Sequence, residues 1–462
     1  MKEATTINKM SWSSCYAGKS ELDKVHDKKE RSRYQRDYDR IIFSSAFRRL
    51  QNKTQVFPLP GTAFVHNRLT HSLEVASVGR SLGTLVGRSL AEKLDANSDA
   101  HQFYFYELSN VVGAACLAHD VGNPAFGHSG EDAISNYFNT FESTGIEGTS
   151  LRDFYNDKEW EDLISFEGNA NALRILTQSF NGKSNKGKEL TNATLAAILK
   201  YPCESVARNK NQKHTKKYGF FQSEKEIFNQ LVDELQLVED SAEPIAFKRH
   251  PFVYLVEAAD DICYNIIDME DAHRIGILTN EKVADAFLDV IEGIALESDD
   301  IENIKTTYKS IGDKNESIAY LRSKCINTLT TACANVFLEN GEDILSTDFN
   351  SSLMSELENK TSALSKIAQI SLDEIYRHQN VLEIEIAGFN VMSGLLQMYV
   401  PAVLREFKNP IDNTLIRLIP NQFKPNDKHS AYLKTMCVLD HISSMTDAYA
   451  VEHYRKLTGI QL

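Results

Sequence analysis

Four side chains that can bind metals or transfer protons are gathered in CLAHDVGNPAFGHSGED, residues 116–132. His119 and Asp120 are adjacent, and His128 and Glu131 follow across a Gly-Asn-Pro turn. Adjacent residues on a helix point about 100° apart, so His119 and Asp120 can converge on one ion only where a helix ends. The turn predicts such an end, because proline cannot continue a helix and biases the residue before it away from helical geometry.

His128 and Glu131 are three residues apart at the expected start of the next helix, so both side chains should face the same way. A histidine oriented by a carboxylate is a usable general acid or base near neutral pH. The structural alternative is a surface histidine beside a glutamate that favours the helix N-terminus.

Two more segments contribute candidates. His71 lies on an amphipathic helix, where a core or capping histidine is the structural alternative. Asp260, Tyr264 and Asp268 are spaced by four residues in EAADDICYNIIDMEDA, so they form one polar stripe on an otherwise apolar helix. A buried carboxylate is costly unless a cation or ligand satisfies it, which favours a functional site over an exposed face with a surface tyrosine.

Two imidazoles and two carboxylates predict a mixed nitrogen and oxygen metal site with room for water. Such a site suits Mn²⁺ or Mg²⁺ first, with Fe²⁺, Co²⁺ or Zn²⁺ as alternatives, whereas a closed structural zinc site would recruit cysteines. An ion of this kind lowers the pKa of bound water and neutralises phosphate oxygens.

Apolar residues at three-to-four spacing dominate the chain and predict an all-α fold. Long β-type alternation is rare, and the 462 residues contain only ten prolines. The clearest helical windows are 70–94, 106–120, 252–272, 281–295 and 433–457, and the short stretch VEDSA (238–242) is interpreted in the same way.

Composition favours a cytoplasmic protein. A net charge of −14 argues against a protein built mainly to hold nucleic acid, although a local basic site could bind phosphates. The seven cysteines form no CxxC pair and are odd in number, which predicts free buried thiols in a reducing compartment. The N-terminus lacks the apolar core of a signal peptide. The most apolar window, 391–404, is too short to span a membrane and contains Pro401.

Loops and domain boundaries are less sharply marked. We expect loops at 181–192 and at 208–219, of which the second carries five Lys or Arg residues and is either a solvated loop or a phosphate-facing one. The predicted organisation has an N-terminal segment (1–40) packed on a core (41–280), and a C-terminal helical region (281–462) that completes the pocket.

The pattern of His71, His119-Asp120 and a distant Asp260 resembles the HD-domain phosphohydrolase superfamily. At closer range the chain resembles the bacterial deoxyguanosine triphosphate triphosphohydrolases, in seven blocks that occur in matching order. These blocks are RRLQNKTQVFPL (48–59), RLTHSLEVASVGR (68–80), LAHDVGNPAFGHSGE (117–131), FEGNANALRIL (166–176), ILKYP (198–202), EAADDICYNIIDMEDA (257–272) and SSMTDAYAVEHYRKL (443–457).

This resemblance implies an HD-domain helical core with additional C-terminal helices. It also implies metal-dependent hydrolysis of dGTP to deoxyguanosine and inorganic triphosphate by attack of a metal-bound water on the α-phosphorus. The alternatives are a broader deoxynucleoside triphosphate triphosphohydrolase of the same fold, a nucleic-acid-binding regulatory HD protein, and a helical scaffold with a structural metal.

The resemblance also implies roles for individual residues. The metal ligands would be His71, His119, Asp120 and Asp260, the last chosen over Asp261 because the family spacing Asp-x₃-Tyr-x₃-Asp fits it. The catalytic residue would be His128, oriented by Glu131. The remaining assignments place Gln55, Tyr264 and Asp268 at the sugar or base and Arg68, Asn169 and Lys200 at the triphosphate, with Glu385 near the substrate or an interface.

The alignment is weaker around Lys200, so Lys213, Lys216 or Lys217 could share the binding of the triphosphate. The resemblance further implies a homo-oligomer, commonly a hexamer, with single-stranded DNA or a deoxynucleotide as an effector. No membrane partner is expected.

Overall fold

The computed structural model describes residues 9–16, 31–57, 65–178, 190–295 and 300–460. Within these ranges the chain forms 21 α-helices and two short β-hairpins, which confirms the predicted all-α class. Most of the predicted loop at 181–192 lies outside the described residues.

Eleven helices precede residue 280 and carry most of the candidate residues. They are α1 (Arg33–Ile42), α2 (Ser45–Arg49), α3 (Arg68–Ala91), α4 (Asp99–Tyr106), α5 (Leu108–Ala118), α6 (His128–Thr140), α7 (Asp157–Ile164), α8 (Gly168–Thr177), α9 (Asn192–Ile198), α10 (Lys225–Leu235) and α11 (Val253–Arg274).

Ten further helices complete the described fold. They are α12 (Asn280–Ile294), α13 (Ile301–Ser310), α14 (Lys314–Glu339), α15 (Gly341–Ser346), α16 (Leu353–Glu358), α17 (Ala363–Ile370), α18 (Gln379–Leu404), α19 (Pro410–Leu418), α20 (Ala431–Ser443) and α21 (Asp447–Thr458). A π-helical turn, Ser371–Ile375, continues α17.

The strands form two antiparallel hairpins, β1 (Gly145–Ile146) with β2 (Thr149–Ser150), and β3 (Glu239–Ala242) with β4 (Ile245–Phe247). The helical interpretation of 238–242 was therefore wrong, because four of these five residues form β3 and Val238 precedes it. Five residues span little more than one helical turn, so their periodicity could not distinguish a helix from a strand.

The predicted helical run at 433–457 is divided into α20 and α21. The break occurs at Thr446, whose side chain accepts a hydrogen bond from the N–H of Tyr449 and starts a new helix. Apolar periodicity continues across this break, so the pattern alone did not reveal it.

The apolar window 391–404 is the second half of α18, a helix of 26 residues with Pro401 in its last turn. In length and composition α18 is sufficient to cross a membrane, but half of its most apolar stretch is buried inside the protein. The length of the window therefore did not exclude a membrane span, and a single half-buried helix of this kind among the described residues is weak evidence for one.

Two hydrophobic clusters build the interior. One is centred on α3, α5, α11, α12 and α14, and the other on α6, α7, α18 and α20. All seven cysteines are free and buried, as predicted. Both clusters draw on residues from either side of residue 280, and the proposed division of the chain there stays a prediction.

Helix α3 lies very close to α4 and α5. Gly79, Gly83 and Gly87 recur every four residues on its buried face, and a Cβ atom on any of them would collide with the Cys116 side chain or with the backbone near Tyr104 and Ser109. Because only glycine permits this approach, the stripe fixes how near the start of α3 comes to the end of α5.

An ion-pair network joins α8 to α20. The guanidinium of Arg174 donates to both carboxylate oxygens of Asp440 at 2.8 Å and to Glu224 at 2.6 Å. All three side chains are 4% exposed or less, so each charge depends on the others for solvation.

We expect Arg174→Met to destabilise the protein by about 3–5 kcal/mol, because two buried carboxylates would lose their counter-charge. Urea unfolding followed by circular dichroism measures this. The control is Arg377→Ala, which breaks an ion pair whose side chains are 64% and 45% exposed and should cost less than about 1 kcal/mol. Equal effects of the two substitutions would contradict a structural role for the buried network.

Candidate active site

Three predicted metal ligands converge at the centre of the fold. Asn67 caps α3 and accepts a hydrogen bond from the Thr70 N–H, which places His71 in the first turn of α3. His119 directly follows the last residue of α5, and Asp260 lies about two turns into α11. Asp260 Oδ1 lies 3.1 Å from His71 Nε2 and 3.5 Å from His119 Nε2.

This cluster fits a divalent cation. His119 Nδ1 lies 2.6 Å from the carbonyl oxygen of Cys116 and donates to it, which leaves the lone pair on Nε2. His119 Nε2 is buried and has no hydrogen-bond partner. The candidate ligand atoms of His71, His119 and Asp260 all lie within 4.8 Å of one another. An unpartnered imidazole nitrogen beside a carboxylate is the donor arrangement that a metal ion would satisfy.

The electrostatics favour positive charge at this point. Burial opposes the charged form of His119, but Asp120 and Asp260 outweigh it and raise the His119 pKa to about 9. Burial likewise disfavours ionised Asp260, yet His119 and His71 hold its pKa well below the usual range. The site therefore attracts a cation, whether a proton or a metal.

Asp120, the fourth predicted ligand, lies at the edge of the cluster. Its Oδ1 is 3.7 Å from His119 Nε2, and its Oδ2 accepts a hydrogen bond from Arg68 Nη1 at 2.7 Å. Asn123 donates to the other oxygen. Metal ligation by Asp120 stays a prediction, and the structure gives it a second task, which is to hold Arg68.

The turn before His128 adopts unusual backbone geometry. Phe126 and Gly127 have φ angles of 62° and 57°, in the region that L-residues rarely adopt. A Cβ atom at Gly127 would also collide with the guanidinium of Arg68. His128 then begins α6 and is exposed to the cavity.

Glu131 does not hydrogen bond to His128 among the described residues, which corrects the expected pairing. Its Oε1 accepts the N–H of Gly168 at 2.8 Å, so Glu131 ties α6 to the start of α8. Three-residue spacing placed both residues at one cavity, but the Glu131 oxygen is engaged by the backbone of α8 and makes no hydrogen bond to His128. Enclosure by the cavity walls, with Lys217 and Arg68 nearby, lowers the His128 pKa.

Glu167 was missed by the sequence analysis. Its Oε1 accepts hydrogen bonds from Lys217 Nζ at 3.0 Å and from Asn169 Nδ2 at 2.6 Å. Burial, together with the negative charge of Glu167, raises the pKa of Glu131 to about 8. Glu167 lies in the block FEGNANALRIL, but nothing in its local pattern distinguished it from an ordinary helix-flanking glutamate.

The basic loop at 208–219 supplies one cation to the site. Lys217 lines the cavity, whereas Arg208 and His214 pair internally with Glu161 and Asp240. On the far wall Lys200 pairs with a second unforeseen glutamate, Glu257. Of the three lysines of this loop that the sequence analysis named as candidates, Lys217 lines the cavity and Lys213 and Lys216 do not.

The stripe on α11 reaches from the metal cluster into a second region. Tyr264 is 40% exposed and stacks on Tyr376 with the ring centres 5.6 Å apart. The hydroxyl of Tyr376 donates to Asp268 at 2.8 Å. Burial raises the Asp268 pKa to about 8. Tyr376 follows the π-helical turn and had no recognisable signal in the sequence.

One cavity of about 450 Å³ collects these groups. It is lined by every predicted site residue except Asp268, which lies behind Tyr376, and Glu385 also lines it. The carbonyl side of Gln55 is buried without a hydrogen-bond partner, so this residue has an unused acceptor in the wall.

Comparison with known proteins places this arrangement in a family. The HD domain matches residues 68–200, and a phosphohydrolase-associated domain matches residues 354–456. A deoxyguanosinetriphosphate triphosphohydrolase-like protein of Synechocystis is 39% identical, with 94% of this chain and 95% of the relative covered. The chain belongs to the HD-domain family of deoxyguanosinetriphosphate triphosphohydrolase-like proteins.

Two further relatives are similar to this chain over most of their length. A deoxyguanosinetriphosphate triphosphohydrolase-like protein of Pseudomonas aeruginosa is 36% identical over 94% of this chain and 96% of its own length. A deoxyguanosinetriphosphate triphosphohydrolase of Klebsiella pneumoniae is 29% identical over 93% and 94%. HD domains are metal-dependent phosphohydrolases, which agrees with the cluster of His71, His119 and Asp260. Membership of this family supports a hydrolase activity for the protein.

We expect His119→Ala to weaken Mn²⁺ binding by more than about tenfold, because it removes a nitrogen donor that has no other partner. Isothermal titration of metal-free protein measures the affinity. His429→Ala is the matched control, since this histidine bonds to Asn426 far along the chain from the cluster. Unchanged Mn²⁺ affinity in His119→Ala would exclude the cluster as the metal site.

Proposed function

We propose that this protein hydrolyses dGTP to deoxyguanosine and inorganic triphosphate, with Mn²⁺ or Mg²⁺ held by His71, His119 and Asp260 and joined by Asp120. The observation that carries the proposal is a metal-type cluster, with its unpartnered imidazole nitrogen, in a cavity also lined by three cationic side chains. The relatives' names supply the substrate.

The cations suit a polyphosphate. Arg68, Lys200 and Lys217 line the cavity on different elements, and each is paired with a carboxylate that holds it in place. A guanidinium presents a planar fork to phosphate oxygens, whereas each ammonium acts as a point charge. A bound divalent ion would neutralise phosphate charge and lower the pKa of water beside the phosphorus.

His128 is the proposed proton donor to the leaving 5′-oxygen of the nucleoside. Burial and then the neighbouring cations lower its pKa, and a bound triphosphate would oppose this shift, because anions favour the imidazolium form. The substrate would thus charge the histidine that must release a proton. Glu131 would act indirectly, by fixing α6 against α8.

The other end of the cavity would hold the deoxynucleoside. Tyr264 presents an aromatic face, and Gln55 has a free acceptor in the wall. Asp268 was predicted to contact the sugar, but it lies behind Tyr376, so this contact would run through the Tyr376 hydroxyl. A broader deoxynucleoside triphosphate triphosphohydrolase is the second candidate. Gln55 is the one side chain predicted at the sugar or base that has an unsatisfied acceptor, and a single hydrogen bond gives little discrimination among bases.

Several expectations stay predictions. Lys210, Lys213 and Lys216 of the basic loop are exposed, and we expect these charges to meet single-stranded DNA if the loop binds it. Stimulation by single-stranded DNA or by a deoxynucleotide, assembly into a homo-oligomer, and cytoplasmic location rest on the resemblance and on composition.

The central test is incubation with Mn²⁺ and each of the four deoxynucleoside triphosphates and GTP, with products separated by ion-pair chromatography. We expect deoxyguanosine and intact triphosphate, and a loss of about 10²–10⁴-fold in kcat for His128→Ala. That variant should retain wild-type Mn²⁺ affinity, which controls for folding.

The product pattern distinguishes the candidates. Comparable turnover of all four deoxynucleotides would replace dGTP specificity with the broader activity. Monophosphate and pyrophosphate would contradict attack at the α-phosphorus with release of the nucleoside. No product, even with single-stranded DNA or a second deoxynucleotide added, would favour the regulatory class.

We expect Lys217→Ala to raise KM about tenfold, because one charge-assisted contact to a phosphate is lost. Lys216→Ala is the adjacent control, since Lys216 is exposed and does not line the cavity. Steady-state kinetics with dGTP measures both. Equal KM values for the two variants would remove Lys217 from the binding of the triphosphate.

A further inference from the structure

A single carboxylate in the C-terminal region links two cavity loops that are distant in sequence. Asp447 is the first residue of α21 and is 8% exposed. Its Oδ2 accepts the N–H of Thr54 at 2.7 Å, and its Oδ1 accepts the N–H of Phe126 at 2.9 Å. Each oxygen thus satisfies a backbone donor that would otherwise lose its hydrogen bond.

Both amides belong to walls of the cavity. Thr54 and Phe126 line it, and His128 follows Phe126 by two residues. Phe126 has a left-handed φ of 62°, which is unfavourable for a non-glycine residue and persists only when its surroundings impose it. The residue whose backbone is strained is therefore the one whose N–H donates to Asp447.

A buried lysine reinforces the same junction. Lys53 Nζ donates to the carbonyl oxygen of Asn123 at 2.6 Å and to that of Ser443 at 2.9 Å. The turn that precedes His128 is therefore held at both ends, by Lys53 at its start and by Asp447 at its close. Ser443 and Asp447 flank the break between α20 and α21.

We propose that Asp447 is a positioning residue, which holds the strained turn at Phe126 against Thr54 and so sets the place of His128 relative to the metal cluster. This inference rests on the proposed function and deepens it. Two acceptor oxygens are required, since an asparagine would present an NH₂ group to one of the two amides and leave that donor unsatisfied.

The test compares Asp447→Asn with Asp412→Asn. Asp412 is 1% exposed, lies in the first turn of α19, and accepts hydrogen bonds from Arg405 and from the N–H of Asn409, and it does not line the cavity. It matches Asp447 in burial and in its place near a helix start. We expect kcat to fall between about ten- and a hundredfold in Asp447→Asn only.

A double-mutant cycle separates positioning from general damage. If Asp447 acts through His128, adding Asp447→Asn to His128→Ala should lower kcat no further, because the group being positioned is already gone. An equal fold-loss in both backgrounds would overturn the proposal.

Hydrogen–deuterium exchange supplies a readout that needs no activity. The amide of Phe126 should exchange faster in Asp447→Asn than in the wild type, and should be unchanged in Asp412→Asn. Unchanged exchange at Phe126 in Asp447→Asn would overturn the inference. If the wild type hydrolyses no deoxynucleotide, the proposed function fails, and this exchange still decides whether Asp447 holds the turn before His128.

Discussion

The close approach of α3, α5 and α11 is the constraint on which the candidate site depends. It brings one carboxylate, Asp260, close to two imidazoles that are largely withdrawn from water. Removing a charge from water is expensive, and this arrangement persists because the opposite charge is built in beside it. The glycine stripe on α3 makes the approach sterically possible, and the end of α5 at Ala118 points His119 into the gap.

Ion pairs also surround the cavity beyond the cluster of Asp260 and the two histidines. Each cation that lines the cavity has a carboxylate partner: Arg68 bonds to Asp120, Lys200 to Glu257 and Lys217 to Glu167. Pairing lowers the cost of burying these charges and fixes the side chains before any ligand arrives. An incoming polyanion must compete with the carboxylates, and a divalent cation would favour it in that competition.

The site also draws on more of the chain than its family segments suggest. Asp260 and Tyr264 lie between the two matched segments, and Tyr376 follows a π-helical turn in the second. The α20–α21 junction reaches back to the turn before His128 through Asp447 and Lys53. Helices far along the chain therefore stabilise the geometry of a short motif near its start.

The amino-acid sequence by itself determined the helical class, the end of α5 at the His-Asp pair and the start of α6 at His128, because these follow from local periodicity and from what proline permits. It also predicted eleven of the cavity's lining residues as site residues, and named Glu385 and Lys217 as further candidates, mostly through family resemblance. Side-chain partnerships were decided by packing across the fold. Glu131 accepts a hydrogen bond from Gly168 and makes none to His128, and Asp268 accepts one from Tyr376. Spacing along one helix gives only an angle, whereas a hydrogen bond depends on which distant element arrives opposite it.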